Sequence, residues 1–178
     1  MAILIPPISI EPMRERDLEA VAAIDRRVYT TPWYYSAYVT ELSNRSAVYL
    51  VAREGERIVG YAGQWIVMDE AHITTLAVDP ARQGRKIGER LLIALIEEAL
   101  YRRAKHIKLE VRENNRIAQN LYRKYGFQPM AMRKHYYVDT GESAVVMWAS
   151  DIHHHQYRAL LDEHRRTIEQ YYQQEERF

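Results

Sequence analysis

The sequence predicts a mixed α/β fold, with a central mixed β-sheet of about seven strands flanked by helices. Two observations lead there. Strand-like and helix-like periodicities follow one another in the order β-α-α-β-β-β-α-β-α-β-β. The β-α-β-α portion in the middle resembles a crossover unit, which sets two neighbouring strands parallel, while the short turns elsewhere suit antiparallel pairs.

Each element has its own signal. Residues 8–10 read as a short first strand. A helix follows over about 17–28, where Leu18, Val21, Ala22 and Ile24 fall at helical spacing. Thr30-Thr31-Pro32-Trp33 interrupts it, and a second short helix is expected over about 34–42. Residues 47–53 and 58–67 form a strand pair around Glu54-Gly55-Glu56, and Asp69-Glu70 turns the chain into a strand over 71–78. A long helix over about 86–104 carries Ile87, Leu91, Leu95 and Ala99 on one stripe, with Gly88, Leu92, Ile96 and Leu100 beside it. A strand at 107–111, a helix at 115–125 closed by Gly126, and two last strands at 127–138 and 144–148 complete the predicted body.

Two units are expected: a domain over 1–150 and a helical extension over 151–178. In the extension Tyr157, Leu160, Leu161, His164, Ile168, Tyr171 and Tyr172 recur at helical spacing among charged residues. Such an amphipathic helix either docks on its own domain or meets a partner, so a monomer and a homodimer are both open. His153-His154-His155 opens it. Consecutive histidines point in different directions, so the run reads as a solvated helix entrance, and no metal site is expected.

Composition excludes several classes of function. The 178 residues contain no cysteine, which removes disulfides, thiolate metal sites and a cysteine nucleophile. A net charge of +1 argues against a nucleic-acid binder. No apolar run is long enough to span a bilayer, and the opening MAILIPPISIEP lacks a basic start and is broken by Pro6 and Pro7. A soluble cytoplasmic protein with no membrane partner is the expectation.

Two stretches carry chemistry. Over 76–92 a strand feeds a basic loop containing Gly84, and the loop opens directly into the long helix at Gly88. The unpaired N–H groups and dipole of a helix start form an anion site. Arg82, Arg85, Lys86 and Arg90 add positive charge. Taken alone, the loop could equally be an ordinary βα connection with a solvated basic face. Over 109–127, Glu110 lies between Leu109 and Val111, so alternation turns it away from their face. A carboxylate there is either paired or poised as a base. Tyr122, on the next helix, is either a core residue or faces back towards that strand end.

These segments resemble the GNAT superfamily of N-acetyltransferases over about residues 8–150. The loop Gln83-Gly84-Arg85-Lys86-Ile87-Gly88 is similar to its motif A, and Leu76-Ala77-Val78-Asp79-Pro80 to its central strand. Leu109-Glu110-Val111-Arg112, Asn115, Ala118, Leu121-Tyr122 and Tyr125-Gly126-Phe127 resemble the RimI-type branch, the bacterial protein N-terminal alanine acetyltransferases. Pro32-Trp33 and the run Arg133-Lys134-His135-Tyr136-Tyr137 match that branch more loosely.

The resemblance implies a splayed pair of parallel strands and acetyl-CoA as co-substrate. Leu76, Ala77 and Val78 would meet the pantetheine arm, and Gly84, Arg85, Lys86, Ile87, Gly88 and Glu89 the phosphates, with Asn115 as a further contact. It implies Glu110 as general base and Tyr122 as general acid, with direct transfer in a ternary complex. Pro32, Trp33, Tyr35, Tyr136 and Tyr137 would line the acceptor groove. The implied acceptor is a protein N terminus, that of a small-subunit ribosomal protein. One position departs from the pattern: Lys86 stands where the family usually has its first glycine. Another amine as acceptor, such as a lysine side chain, a polyamine or an aminoglycoside, stays open. So does a non-catalytic acyl-CoA-binding module.

Overall fold

A computed structural model describes residues 7–175. The opening residues 1–6 and the last three residues of the predicted helix lie outside that range.

Seven strands form one sheet in the order β1-β2-β3-β4-β5-β7-β6. They are β1 (Ile8–Pro12), β2 (Ala47–Glu54), β3 (Arg57–Val67), β4 (Glu70–Val78), β5 (His106–Arg112), β6 (Gln128–Arg133) and β7 (Ala144–Ala149). The helices are α1 (Leu18–Val28), α2 (Tyr35–Leu42), α3 (Ile87–Tyr101), α4 (Arg116–Lys124) and α5 (His155–Glu175). Every pairing is antiparallel except β4 with β5. That parallel pair holds for three residues, Glu70–His72 against His106–Lys108, after which the strands part.

The sheet separates two apolar layers. On one face Leu91, Leu92, Leu95 and Ile96 of α3 pack with Val59, Ala62, Ile107, Leu109, Tyr125 and Phe127, and Leu161 and Ile168 of α5 join them. On the other, Leu18, Val21 and Ile24 of α1 meet Tyr38 of α2 with Tyr49, Val51 and Tyr61. Each fully buried aliphatic side chain here contributes about 1.5–3 kcal/mol. Close packing leaves no room at Gly63, where a Cβ would lie 2.4 Å from the Tyr49 ring.

Local chemistry sets the element ends. Asp17 accepts from the Arg14 amide at 2.9 Å and so fixes the approach to α1. Asn115 caps α4 by accepting from Ala118 N–H at 3.1 Å. Gly126, at φ +82°, lets the chain turn out of α4, and a Cβ there would lie 2.8 Å from Tyr157.

Three predicted boundaries need correction. The long helix ends at Tyr101, three residues short of the predicted end, because Arg103 takes φ +63°. The strand predicted over 127–138 stops at Arg133. Beyond it His135 (φ +52°) and Gly141 (φ +72°) bend the chain into a wide loop, tied by Tyr137 N–H to Glu142 O at 3.1 Å and Gly141 N–H to Tyr137 O at 2.8 Å. Tyr136 and Tyr137 therefore leave the ladder. The C-terminal helix begins at His155, after a turn in which Asp151 has φ +52°.

Candidate active site

The candidate site lies around the gap between β4 and β5. Past His72 the β4 backbone no longer pairs with β5, and Leu76, Ala77 and Val78 lie along that open stretch. Gly88, at the start of α3, is close enough to the Leu76 and Val78 side chains that a Cβ would sit 3.8 Å from each. The strand end and the helix start are thus brought together as the motif implies. Gly84, at φ +83°, has nothing within 4 Å of its would-be Cβ, so the loop backbone faces open space there.

The loop's cations are already partnered. Arg82 and Arg85 both bind Glu54, at 2.8 and 2.6 Å. Burial opposes ionisation of Glu54, but these two guanidiniums hold its carboxyl below the usual range. Lys86 leads into α3 in the left-handed conformation, φ +61°, and its ammonium lies 3.4 Å from Glu89. The glycine usual at this position is therefore explained by backbone conformation. Ile87 is buried in the core. The side chain of Glu89 is turned to α4, where Lys124 and Tyr125 donate to it at 2.6 and 2.7 Å. The Asn115 side chain serves as the α4 cap.

Glu110 lies on the face of β5 opposite Leu109 and Val111, with its side chain 7% exposed. It is paired. His72 Nε2 lies 2.6 Å from one carboxylate oxygen and Arg133 3.8 Å from the other. The His72 hydrogen bond keeps its carboxyl below the ordinary value of 4.5, against the opposing effect of burial. His72 was not singled out in the sequence, since it is 38 residues away on another strand. Its ring meets Trp65 edge-on at 6.4 Å.

Tyr122 packs on Phe127 with ring centroids 5.8 Å apart, at the edge of the core. Burial pushes its phenol well up, and the neighbouring Tyr29 and Tyr137 push further. Burial also raises the Tyr137 phenol, to about 12, with Arg112 opposing and Tyr136, Glu110 and Tyr29 adding to the rise. The hydroxyl of Tyr29 donates to the Leu76 carbonyl at 3.1 Å. Tyr122, Tyr29 and Tyr137 thus lie near one another, and Tyr137 also lies near Glu110. Tyr29 and Arg112 are further residues that the sequence reading missed.

The two aromatic loops meet. Thr30 Oγ1 donates to Asp139, joining the α1–α2 connection to the β6–β7 loop. Arg112 binds Asp139 at 2.8 Å and lies under the Tyr137 ring at 4.0 Å. On the first loop the Trp33 N–H donates to Asp25 at 2.7 Å, and Tyr61 donates to the same buried carboxylate. Trp33, Tyr35 and Tyr136 are exposed, and Pro32 is half-buried. Among the described residues no group of three or more His, Cys, Asp or Glu side chains could hold a metal ion. No helix there is long and apolar enough to cross a membrane.

This strand gap, with a glycine-containing loop leading into a helix start, is the architecture of an acyltransferase. The chain belongs to the acetyltransferase (GNAT) family, whose model matches residues 16–127. A Bacillus subtilis (strain 168) protein provisionally named [ribosomal protein bS18]-alanine N-acetyltransferase is 40% identical over 143 residues, 80% of this chain and 95% of that one. The N-alpha-acetyltransferase RimI of Mycobacterium tuberculosis is 36% identical over 147 residues, 79% of this chain and 91% of the relative. The crystal structure of the ribosomal-protein-S18-alanine N-acetyltransferase from Escherichia coli superposes with a TM-score of 0.76 at 28% identity, covering 82% of this chain and 94% of that one.

Proposed function

We propose that the protein transfers the acetyl group of acetyl-CoA to the N-terminal α-amine of a protein, the N-terminal alanine of the small-subunit ribosomal protein bS18. The observation that carries the reading is Glu110, paired with His72, beside a strand gap whose surroundings include Tyr122, Tyr29 and Tyr137. The names of the relatives support the acceptor.

The residues present fit the co-substrate. The edge of β4 that no longer pairs with β5 past His72 offers hydrogen-bonding groups to an amide-bearing arm, and the open loop at Gly84 and the start of the 15-residue α3 offer N–H groups to phosphates. Bound there, acetyl-CoA supplies an activated thioester. Leu76, Ala77 and Val78 orient the arm, and the backbone of 84–88 holds the phosphate end. A β4 amide polarises the acyl carbonyl.

An α-amine has an ordinary pKa of about 7.7–8.0, so a useful fraction is neutral near pH 7. Glu110, held ionised, draws the amine in and orients it. The proton released on attack passes to the His72–Glu110 pair, directly or through a water. Tyr122, its phenol held in the protonated form, gives a proton to the departing thiolate. The absence of cysteine favours direct transfer in a ternary complex. Pro32, Trp33, Tyr35, Tyr136 and Tyr137 flank the acceptor's path. Arg133 and Arg112 beside Glu110 and Tyr137 disfavour a polycationic acceptor such as a polyamine.

Tyr122→Phe and Glu110→Gln are each expected to lower kcat about 100-fold or more while acetyl-CoA affinity stays within a few-fold. Normal turnover in both variants would refute the roles. Thiol release should occur with peptides beginning with alanine and not with the same peptides N-terminally blocked. Release with spermidine alone would overturn the acceptor.

A further inference from the structure

The helix α5 lies outside the residues matched by the family model, yet it runs from the end of α4 to the phosphate loop. Near its start, Tyr157 donates to the Tyr125 carbonyl at 2.9 Å, and in its middle His164 Nε2–H donates to the Lys124 carbonyl at 3.0 Å. Leu161 and Ile168 are buried in the core that also holds α3. Towards its end, Tyr172 donates to the Arg85 carbonyl at 2.5 Å, and Arg90 of α3 lies 4.9 Å over the Tyr172 ring. The Arg85 side chain is itself anchored on Glu54 at 2.6 Å.

We propose that α5 is a brace for the coenzyme loop, and that Tyr172 is a positioning residue for acetyl-CoA. This rests on the reading that the loop at 84–88 binds the coenzyme phosphates. The loop needs such a brace for a physical reason. Gly84 and Lys86, on either side of Arg85, both take positive φ, and such a turn is easily remodelled unless its neighbours fix it. Arg85 is fixed twice, at its guanidinium by Glu54 and at its carbonyl by Tyr172. With its carbonyl tied back to α5, the loop keeps one arrangement of its N–H groups before ligand arrives, so less ordering is required on binding. Burial pushes the Tyr172 phenol up to about 12, so its hydroxyl remains a donor at any working pH.

The test uses the full chain with Tyr172→Phe, which keeps the ring and removes the donor. One neutral hydrogen bond corresponds to roughly a five-fold effect. The expected result is a roughly five-fold rise in both the acetyl-CoA Kd and its KM, with kcat at saturation unchanged. In the ligand-free protein, amide exchange across 84–88 should quicken by a similar factor. Tyr171→Phe, whose hydroxyl donates to Glu175 at 2.8 Å, is the matched control and should move none of these. If wild type binds acetyl-CoA and Tyr172→Phe binds it equally well with unchanged exchange, the brace is refuted and the coenzyme reading stands. If wild type binds no acetyl-CoA, the coenzyme reading fails and this role falls with it.

Discussion

Replacing Lys86 with glycine should make the protein more stable, although it deletes a charged contact beside a proposed phosphate site. Lys86 sits at φ +61°, ψ 13°. Holding an L-residue there costs about 1–2 kcal/mol, whereas glycine is free of that cost but loses about 0.5–1 kcal/mol more in backbone entropy. The contact given up is the 3.4 Å approach to Glu89 from a lysine 42% exposed. Solvent screening makes such a pair worth less than about 1 kcal/mol, and Glu89 keeps Lys124 and Tyr125. The backbone terms leave about 0.5–1 kcal/mol, and subtracting about 0.3 kcal/mol for the i,i+3 contact gives a gain of about 0.2–0.7 kcal/mol, or roughly 0.5–3 °C in Tm for a chain of this size. Lys86→Ala separates the causes, because it removes the charge and keeps the Cβ. It should show no gain. Calorimetry and urea unfolding of the three proteins provide the comparison. A glycine variant no more stable than the alanine variant would show that the left-handed backbone is not what makes lysine costly there.

Three other outcomes can be checked directly. Asp25→Ala leaves the Trp33 amide and the Tyr61 hydroxyl without their shared acceptor; it should lower stability by about 3 kcal/mol in urea unfolding and raise the acceptor-peptide KM. Gly63→Ala forces a Cβ against the Tyr49 ring and should lower stability by about 1–3 kcal/mol, read as a fall in Tm with secondary structure retained. Glu110 has its carboxyl held low in the folded state, so its contribution to stability is present above its ordinary value of 4.5 and is lost as pH falls through the folded value. Wild type should therefore lose more stability below about pH 4.5 than His72→Ala, in which the main cause of that depression is gone; parallel urea curves at pH 6 and pH 3.5 test this.

The sequence reading reached the local structure that neighbours along the chain determine. The glycine-containing loop, the strand before it and the helix after it are contiguous, and in the fold Gly88 lies beside Leu76 and Val78. It was silent where function depends on strands laid side by side. His72 meets Glu110 because β4 and β5 share a register set by the whole fold, and no local pattern marks it. Thr30 meets Asp139 across 109 residues. Nothing in the sequence sets Asp25 apart from the other charged residues of α1, yet it lies buried as the acceptor that holds the Trp33 loop. The strand expected over 127–138 is longer than β6 because Phe127 to Val138 has strand-like composition throughout, while the bend depends on His135 accepting a positive φ.

The short parallel contact between β4 and β5 has a mechanical consequence. Strands β1–β4 make one plate of the sheet and β5–β7, with α4 between β5 and β6 in the chain, make another, while α3 packs against both in one core. Along the sheet only three residue pairs join them. His72 is carried by the first plate, Glu110 and Tyr122 by the second. What fixes the distances between these side chains is therefore less the strand pairing than α3, whose buried face packs against residues of both plates, as a batten holds two boards behind a short seam.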